Sequence, residues 1–135
     1  MQNLYKLPTR VYIEDTDAGG IVFYVNYLKY MERARTEFMR QLGYDKAAIV
    51  GEYLLVVHST TIQYRRPATL DDELIVTAAI SELGKARAVF TQTVLRGDEL
   101  LCEASVTIAC VKGGSMRPTP FPADMADKLT QRLNQ

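Results

Sequence analysis

Apolar residues along this chain keep two rhythms, and the change from one to the other marks its elements. Tyr27, Met31, Ala34, Phe38 and Leu42 recur at spacings of three and four, while Lys29, Glu32, Arg33, Arg35, Glu37 and Arg40 take much of the remaining circumference. That period predicts an amphipathic helix of about four to five turns. Asn26 stands where an N-cap is expected and Gly43 where the helix stops. After a loop around Tyr44 to Gly51 the rhythm shortens to two. Strands are predicted over 54–64, 72–83 and 85–96 and, past a Gly97-Asp98 turn, over 99–111. In the last of these, Cys102, Ala104, Val106, Ile108 and Cys110 alternate with Glu103, Ser105, Thr107 and Ala109, which marks one strongly buried face.

The ends are less regular. TRVYI, residues 9–13, reads as a short first strand, and residues 14–25 as a loop that keeps some apolar positions. The tail RPTPFPADMADKLTQRLNQ has three closely spaced prolines, then Met125, Leu129 and Leu133 at helical spacing, so a crossing loop and a short terminal helix are expected. One long helix followed by long antiparallel strands is an α+β pattern in which the sheet packs on the helix or wraps it.

Composition narrows the function classes. A chain of 135 residues, 47% hydrophobic, can bury one substantial core, so a single domain over 1–135 is expected. Sixteen basic and sixteen acidic residues balance to zero, which leaves no overall field to attract nucleic acid or an anionic membrane. No apolar run resembles a leader or a membrane span, so a cytoplasmic protein with no membrane insertion is expected. Cys102 and Cys110 lie about 26 Å apart along one strand, too far for a disulfide, and read as small core residues.

Candidate chemistry concentrates in EDTDAGGIVFYVNY, residues 14–27, where Glu14, Asp15 and Asp17 precede Gly19-Gly20 and the helix entrance. A calcium loop begun at Asp15 would place Gly19 and Asn26 at two ligand positions, and fails there. The paired glycines lack the spacing and lysine of a phosphate loop. A single histidine excludes H-E-x-x-H, and there is no G-x-S-x-G elbow. His58 and Ser59, adjacent in a strand, would point to opposite faces. No metal site is expected. A carboxylate beside a helix N-terminus remains, and it has a use: first-turn N–H groups near Tyr24 to Leu28 can receive an oxyanion while the carboxylate attacks the same carbonyl or activates water.

The run RVYIEDTDAGGIVFYVNYLKYMERARTEFMRQLG, with IQYRRPATLDDEL at 62–74, closely resembles the hot-dog-fold acyl-CoA thioesterases of the 4-hydroxybenzoyl-CoA thioesterase family, above all its Tol-Pal-associated branch. In the second segment the matching positions are Tyr64, Pro67, Ala68, Leu70, Asp71 and Asp72. The resemblance covers most of the chain and thins after about Val111. It implies a long central helix wrapped by a five-stranded antiparallel sheet, with subunits joined as a homodimer or homotetramer and active sites at the interface. It implies Asp17 as catalytic nucleophile or general base, and the Tyr24 backbone N–H as oxyanion donor. Val25 follows that tyrosine where many members of the Tol-Pal branch carry histidine; the 4-hydroxybenzoyl-CoA branch has a pattern like Tyr24, Asn26 and Tyr27.

Other positions are substrate-binding candidates beside plainer roles. Gly19 and Gly20 allow close approach of the backbone to a thioester, or serve an ordinary turn. His58 reads first as a half-buried strand residue, and Tyr64 as packing that can also line an acyl or pantetheine channel. Arg65, Arg66, Lys85 and Arg87 are candidates for the phosphates of coenzyme A, though each alone reads as a solvated charge. Glu14 and Asp15 read as structural. The expected activity is hydrolysis of an acyl-CoA to free acid and coenzyme A with no cofactor beyond the substrate's own coenzyme A. The alternatives are an aroyl-CoA thioesterase, or a non-catalytic module that binds acyl carrier protein or a cell-envelope complex.

Overall fold

Packing reproduces the long elements close to their expected bounds and moves the first strand. The computed structural model describes residues 4–45 and 49–133. Strand β1 is Tyr5–Arg10, a short 3-10 turn covers Ile13–Asp15, and helix α1 is Asn26–Gln41. Strands β2 (Ile49–Val50), β3 (Tyr53–Tyr64), β4 (Glu73–Leu83), β5 (Arg87–Arg96) and β6 (Glu99–Lys112) follow, and helix α2 (Ala123–Leu133) ends the described chain. Of the loop expected from Tyr44 to Gly51, residues 46–48 lie outside the described residues.

The strands form one antiparallel sheet in the order β1-β4-β5-β6-β3-β2. Five are long, as expected, and β2 adds two residue pairs at the margin. The strand expected at 9–13 instead occupies Tyr5–Arg10. Pro8 interrupts the strand signal there, but β1 is an edge strand, where a missing N–H donor is tolerated.

The core lies between α1 and the sheet. Tyr30, Met31, Ala34 and Phe38 join Leu74, Val76, Phe90, Val94, Cys102 and Val106 in one buried cluster. Phe38 meets Phe90 edge to face with ring centroids 5.2 Å apart. Gly43 ends α1 as expected: its φ of +102° lets its own N–H reach Arg40 O and that of Tyr44 reach Met39 O, the paired bonds of a Schellman stop. Asn26, by contrast, is not the N-cap. Val25 caps the helix without a side-chain bond, and Asn26 is its first residue, 7% exposed. The alternating face of β6 is buried as its pattern requires, and both cysteines are free. Among the described residues no helix is long and apolar enough to cross a membrane.

Candidate active site

Two loops meet at the entrance of α1. In the first, the chain reverses between Asp17 and Gly20: Gly20 N–H donates to Asp17 O at 3.1 Å, and Asp17 N–H to Ile21 O at 2.9 Å. Gly20 adopts φ +81°, which a residue with a Cβ takes only under strain. The chain returns antiparallel to itself through the Thr16–Val22 bridge, and Phe23 N–H donates to Asp15 O at 3.0 Å, so the helix begins directly after this hairpin. Asp17 is exposed at the turn, and Oδ1 accepts the Gly19 N–H at 2.8 Å.

The second loop, residues 65–72, runs beside the first. Val22 N–H donates to Ala68 O, Leu70 N–H donates to Gly20 O, and Ile21 bridges Thr69. Ala68 is fully buried, and its N–H donates to the Tyr27 hydroxyl at 2.9 Å. Burial raises the Tyr27 phenol above its ordinary value, with the Ala68 bond acting in the other direction.

The helix entrance carries the donors. Asn26 N–H bonds to Phe23 O and Leu28 N–H to Val25 O, whereas the amides of Tyr24 and Val25 meet no acceptor among the described residues. Such N–H groups at a helix start, reinforced by the helix dipole, suit a developing oxyanion. Asp15 fixes this end: Oδ1 accepts from Asn26 Nδ2 at 2.8 Å and Oδ2 from Tyr12 N–H at 2.9 Å. Asp15 is therefore structural, as its sequence context suggested, and it explains why Asn26 does not cap. The Tyr30 hydroxyl is buried in the same place and meets no hydrogen-bond partner among the described residues, and burial raises its phenol strongly.

Aromatic rings border the donors. Phe23 and Tyr24 are 48% and 61% exposed, Tyr24 lies edge to face with Tyr64, and Tyr64 is 5.5 Å from Tyr27. The Tyr64 hydroxyl donates to Tyr24 O at 3.1 Å. Its inward direction depends on a bulge. Leu55 and Val57 pair with Cys110 and Ile108 on the inner face of β6, His58 is the extra residue, and inward positions thereafter become Thr60, Ile62 and Tyr64. Without the extra residue Tyr64 would point outward. Opposite it, burial pushes the Cys102 thiol up to about 12, so this cysteine is a neutral packing group and no thiolate nucleophile.

Thus the structure brings Asp17, Gly19, Gly20, Tyr24, Val25, Asn26, Tyr27 and Tyr64 into one region. His58 is exposed rather than half-buried and lies about 20 Å up β3 from Tyr64. Arg65 and Arg66 flank the site, but they are committed to Glu103 at 3.0 Å and Glu99 at 3.2 Å. Lys85 and Arg87 are exposed at the start of β5, roughly 30 Å from Arg96 at its other end, beside the site. The same chain does not bring them to Asp17. Sequence reasoning missed Ala68, Thr69, Asp72 and Arg96 as supports of the Asp17 turn. For Ala68 and Asp72 the only signal was the proline-alanine and leucine-aspartate-aspartate pattern at 67–72; Thr69 and Arg96 had none.

Comparison with known proteins bears on the family and the fold. A family model described as the thioesterase-like superfamily matches residues 11–129. An acyl-CoA thioesterase YbgC from Haemophilus influenzae is 41% identical over 127 residues, covering 93% of this chain and 93% of that protein. An acyl-CoA thioester hydrolase YbgC from Escherichia coli O157:H7 is 38% identical over 130 residues, covering 95% and 97%. Among solved structures, a probable thioesterase from Bartonella henselae superposes with a TM-score of 0.83 at 32% identity, over 89% of this chain and all of that one.

Proposed function

Because this chain belongs to the thioesterase-like superfamily, we propose that it hydrolyses an acyl-CoA thioester to the free acid and coenzyme A, with Asp17 as the attacking group and the Tyr24 amide as oxyanion donor. The observation that carries the assignment of roles is the hairpin that sets an exposed carboxylate one short return strand from N–H groups at a helix entrance that meet no acceptor among the described residues. An exposed carboxylate is a weak base and a usable nucleophile. One Asp17 oxygen attacks the thioester carbon, the carbonyl electrons move to an oxyanion at the Tyr24 N–H, and collapse expels the coenzyme A thiolate. Water then cleaves the mixed anhydride and regenerates the carboxylate. The route has no step that needs a metal or redox cofactor.

The test is thiol release from short, long and aromatic acyl-CoA substrates by wild type and Asp17→Asn. At least ~100-fold loss in kcat/KM is expected for the variant. An inert wild type, or an equally active variant, removes the assignment and favours binding of acyl carrier protein or an envelope complex. Multiple turnovers in heavy-oxygen water distinguish the two uses of Asp17: label enters its carboxylate only if it is the nucleophile. The exposed rings of Phe23, Tyr24 and Tyr64 favour an aroyl group as second substrate reading, which the aromatic member of the panel addresses.

The site is completed by a second copy. Along β3 only Tyr53 and Leu54 pair with β2, so the edge from Leu55 to Tyr64 is open among the described residues. A long open edge is a template for pairing, and two copies joined there bring second-subunit groups toward each Tyr64. Sedimentation of a monomer at micromolar concentration would sink this homodimer, and a tetramer would extend it. An acyl-CoA substrate supports the cytoplasm as the compartment in which the protein acts.

A further inference from the structure

We infer that Asp72 is a positioning residue for catalysis, holding the Asp17 turn in register through Thr69 and Arg96; this rests on the thioesterase reading above. One oxygen of Asp72, Oδ2, accepts from Thr69 N–H at 2.8 Å, Thr69 Oγ1 at 3.1 Å and Arg96 Nη1 at 2.7 Å. The Asp72 N–H in turn donates to Thr69 O at 3.1 Å, so residues 69–72 are closed on themselves. Arg96 also holds Glu99 at 2.8 Å, which ties this closed turn to the β5–β6 hairpin.

The consequence lies one step further out. Thr69 and its neighbours Ala68 and Leu70 are the partners of Ile21, Val22 and Gly20. Those three residues form the return side of the Asp17 turn. Among the described residues the backbone hydrogen bonds of the return side run to the outgoing side of its own turn and to this loop, whose turn at 69–72 Asp72 closes. Releasing Thr69 lets residues 67–70 shift, and the Asp17 carboxylate shifts with them relative to the Tyr24 amide. A displacement of about 1 Å between an attacking atom and its oxyanion donor reduces rate by on the order of 100-fold while leaving most substrate contacts in place. Asp72 touches no reacting atom in this scheme.

The experiment compares Asp72→Ala and Asp72→Asn with wild type, well below each melting temperature, with amide hydrogen exchange beside kinetics. Asp72→Ala should lower kcat at least ~10-fold with KM within about twofold. It should also speed exchange of the Val22 and Leu70 amides while β6 amides stay protected. Asp72→Asn keeps an acceptor oxygen for Thr69 and should recover most of kcat. If the activity of Asp72→Ala falls only as its folded fraction falls, or if Val22 and Leu70 stay as protected as in wild type, the inference is overturned. An inert wild type removes the thioesterase reading instead, and the exchange of Val22 and Leu70 still decides whether Asp72 holds the turn.

Discussion

Asp17 and Asp72 sit on adjacent loops, yet their oxygens are used in opposite ways. Asp72 spends one oxygen on three donors, and hydrogen bonds from Thr69 and Arg96 outweigh burial to hold its carboxyl below the usual range. Among the described residues Asp17 has one donor, the Gly19 N–H two residues ahead, and it faces solvent. A carboxylate saturated by donors fixes geometry and has little left to react with. One held by a single local bond is aimed and keeps free lone pairs. Acidity alone therefore does not separate these two carboxylates; the number of donors each already accepts from does.

The largest effect that would break this comparison is a structural one at Asp17. Asp17→Asn should reduce kcat/KM by at least ~100-fold, about 2.7 kcal/mol of transition-state stabilisation. Its unfolding free energy should stay within about 0.5 kcal/mol of wild type, because the substituted amide oxygen still accepts from Gly19. Chemical unfolding that shows a loss of several kcal/mol would make Asp17 another support and undo the contrast.

Next in size is Tyr27→Phe, which acts on the loop between the two carboxylates. Removal of the hydroxyl leaves the buried Ala68 N–H without an acceptor, at an expected cost of about 1–3 kcal/mol in denaturant unfolding. Activity per folded molecule should fall less than in Asp17→Asn. A neutral change in stability would mean that the loop is held well enough without this bond.

These residues differ in how far sequence could reveal them. Tyr27, Met31, Ala34 and Phe38 announced their helix because burial on one face requires a 3.6-residue period, and the even-numbered residues of β6 did the same at period two. Asp17 was legible only through a family resemblance, since an aspartate before two glycines is ordinary turn chemistry. The positions least legible in the sequence were those with distant partners. Asn26 has a capping residue's chemistry but bonds Asp15, eleven residues away, and Arg65 and Arg66 are neutralised by Glu103 and Glu99 across the chain. The bulge at His58 reverses the inward side of β3, and nothing in a single sequence marks where an extra residue enters a strand.

A smaller effect is expected at the turn that separates the two loops. Gly20 has φ +81°, and a Cβ built there meets nothing within 4 Å, so Gly20→Ala carries backbone strain without a clash. The expected loss is about 1–2 kcal/mol in denaturant unfolding. Activity should drop modestly, because the Gly20 carbonyl still receives Leu70 N–H. A loss comparable to that of Asp17→Asn would assign Gly20 a part in substrate approach.

The smallest effect is a change of slope with pH, and it is read at Asp72. Because the folded-state value of Asp72 lies below its ordinary 3.8, the unfolded chain binds its proton first as pH falls. Its contribution to stability is full above that ordinary value and is lost as pH drops through the lower folded value. Wild type should therefore lose stability more steeply below about pH 4 than Asp72→Asn, whose side chain does not titrate there. Parallel acid slopes for wild type and Asp72→Asn would show that Thr69 and Arg96 bind an amide as well as a carboxylate, leaving the contrast to rest on donor number alone.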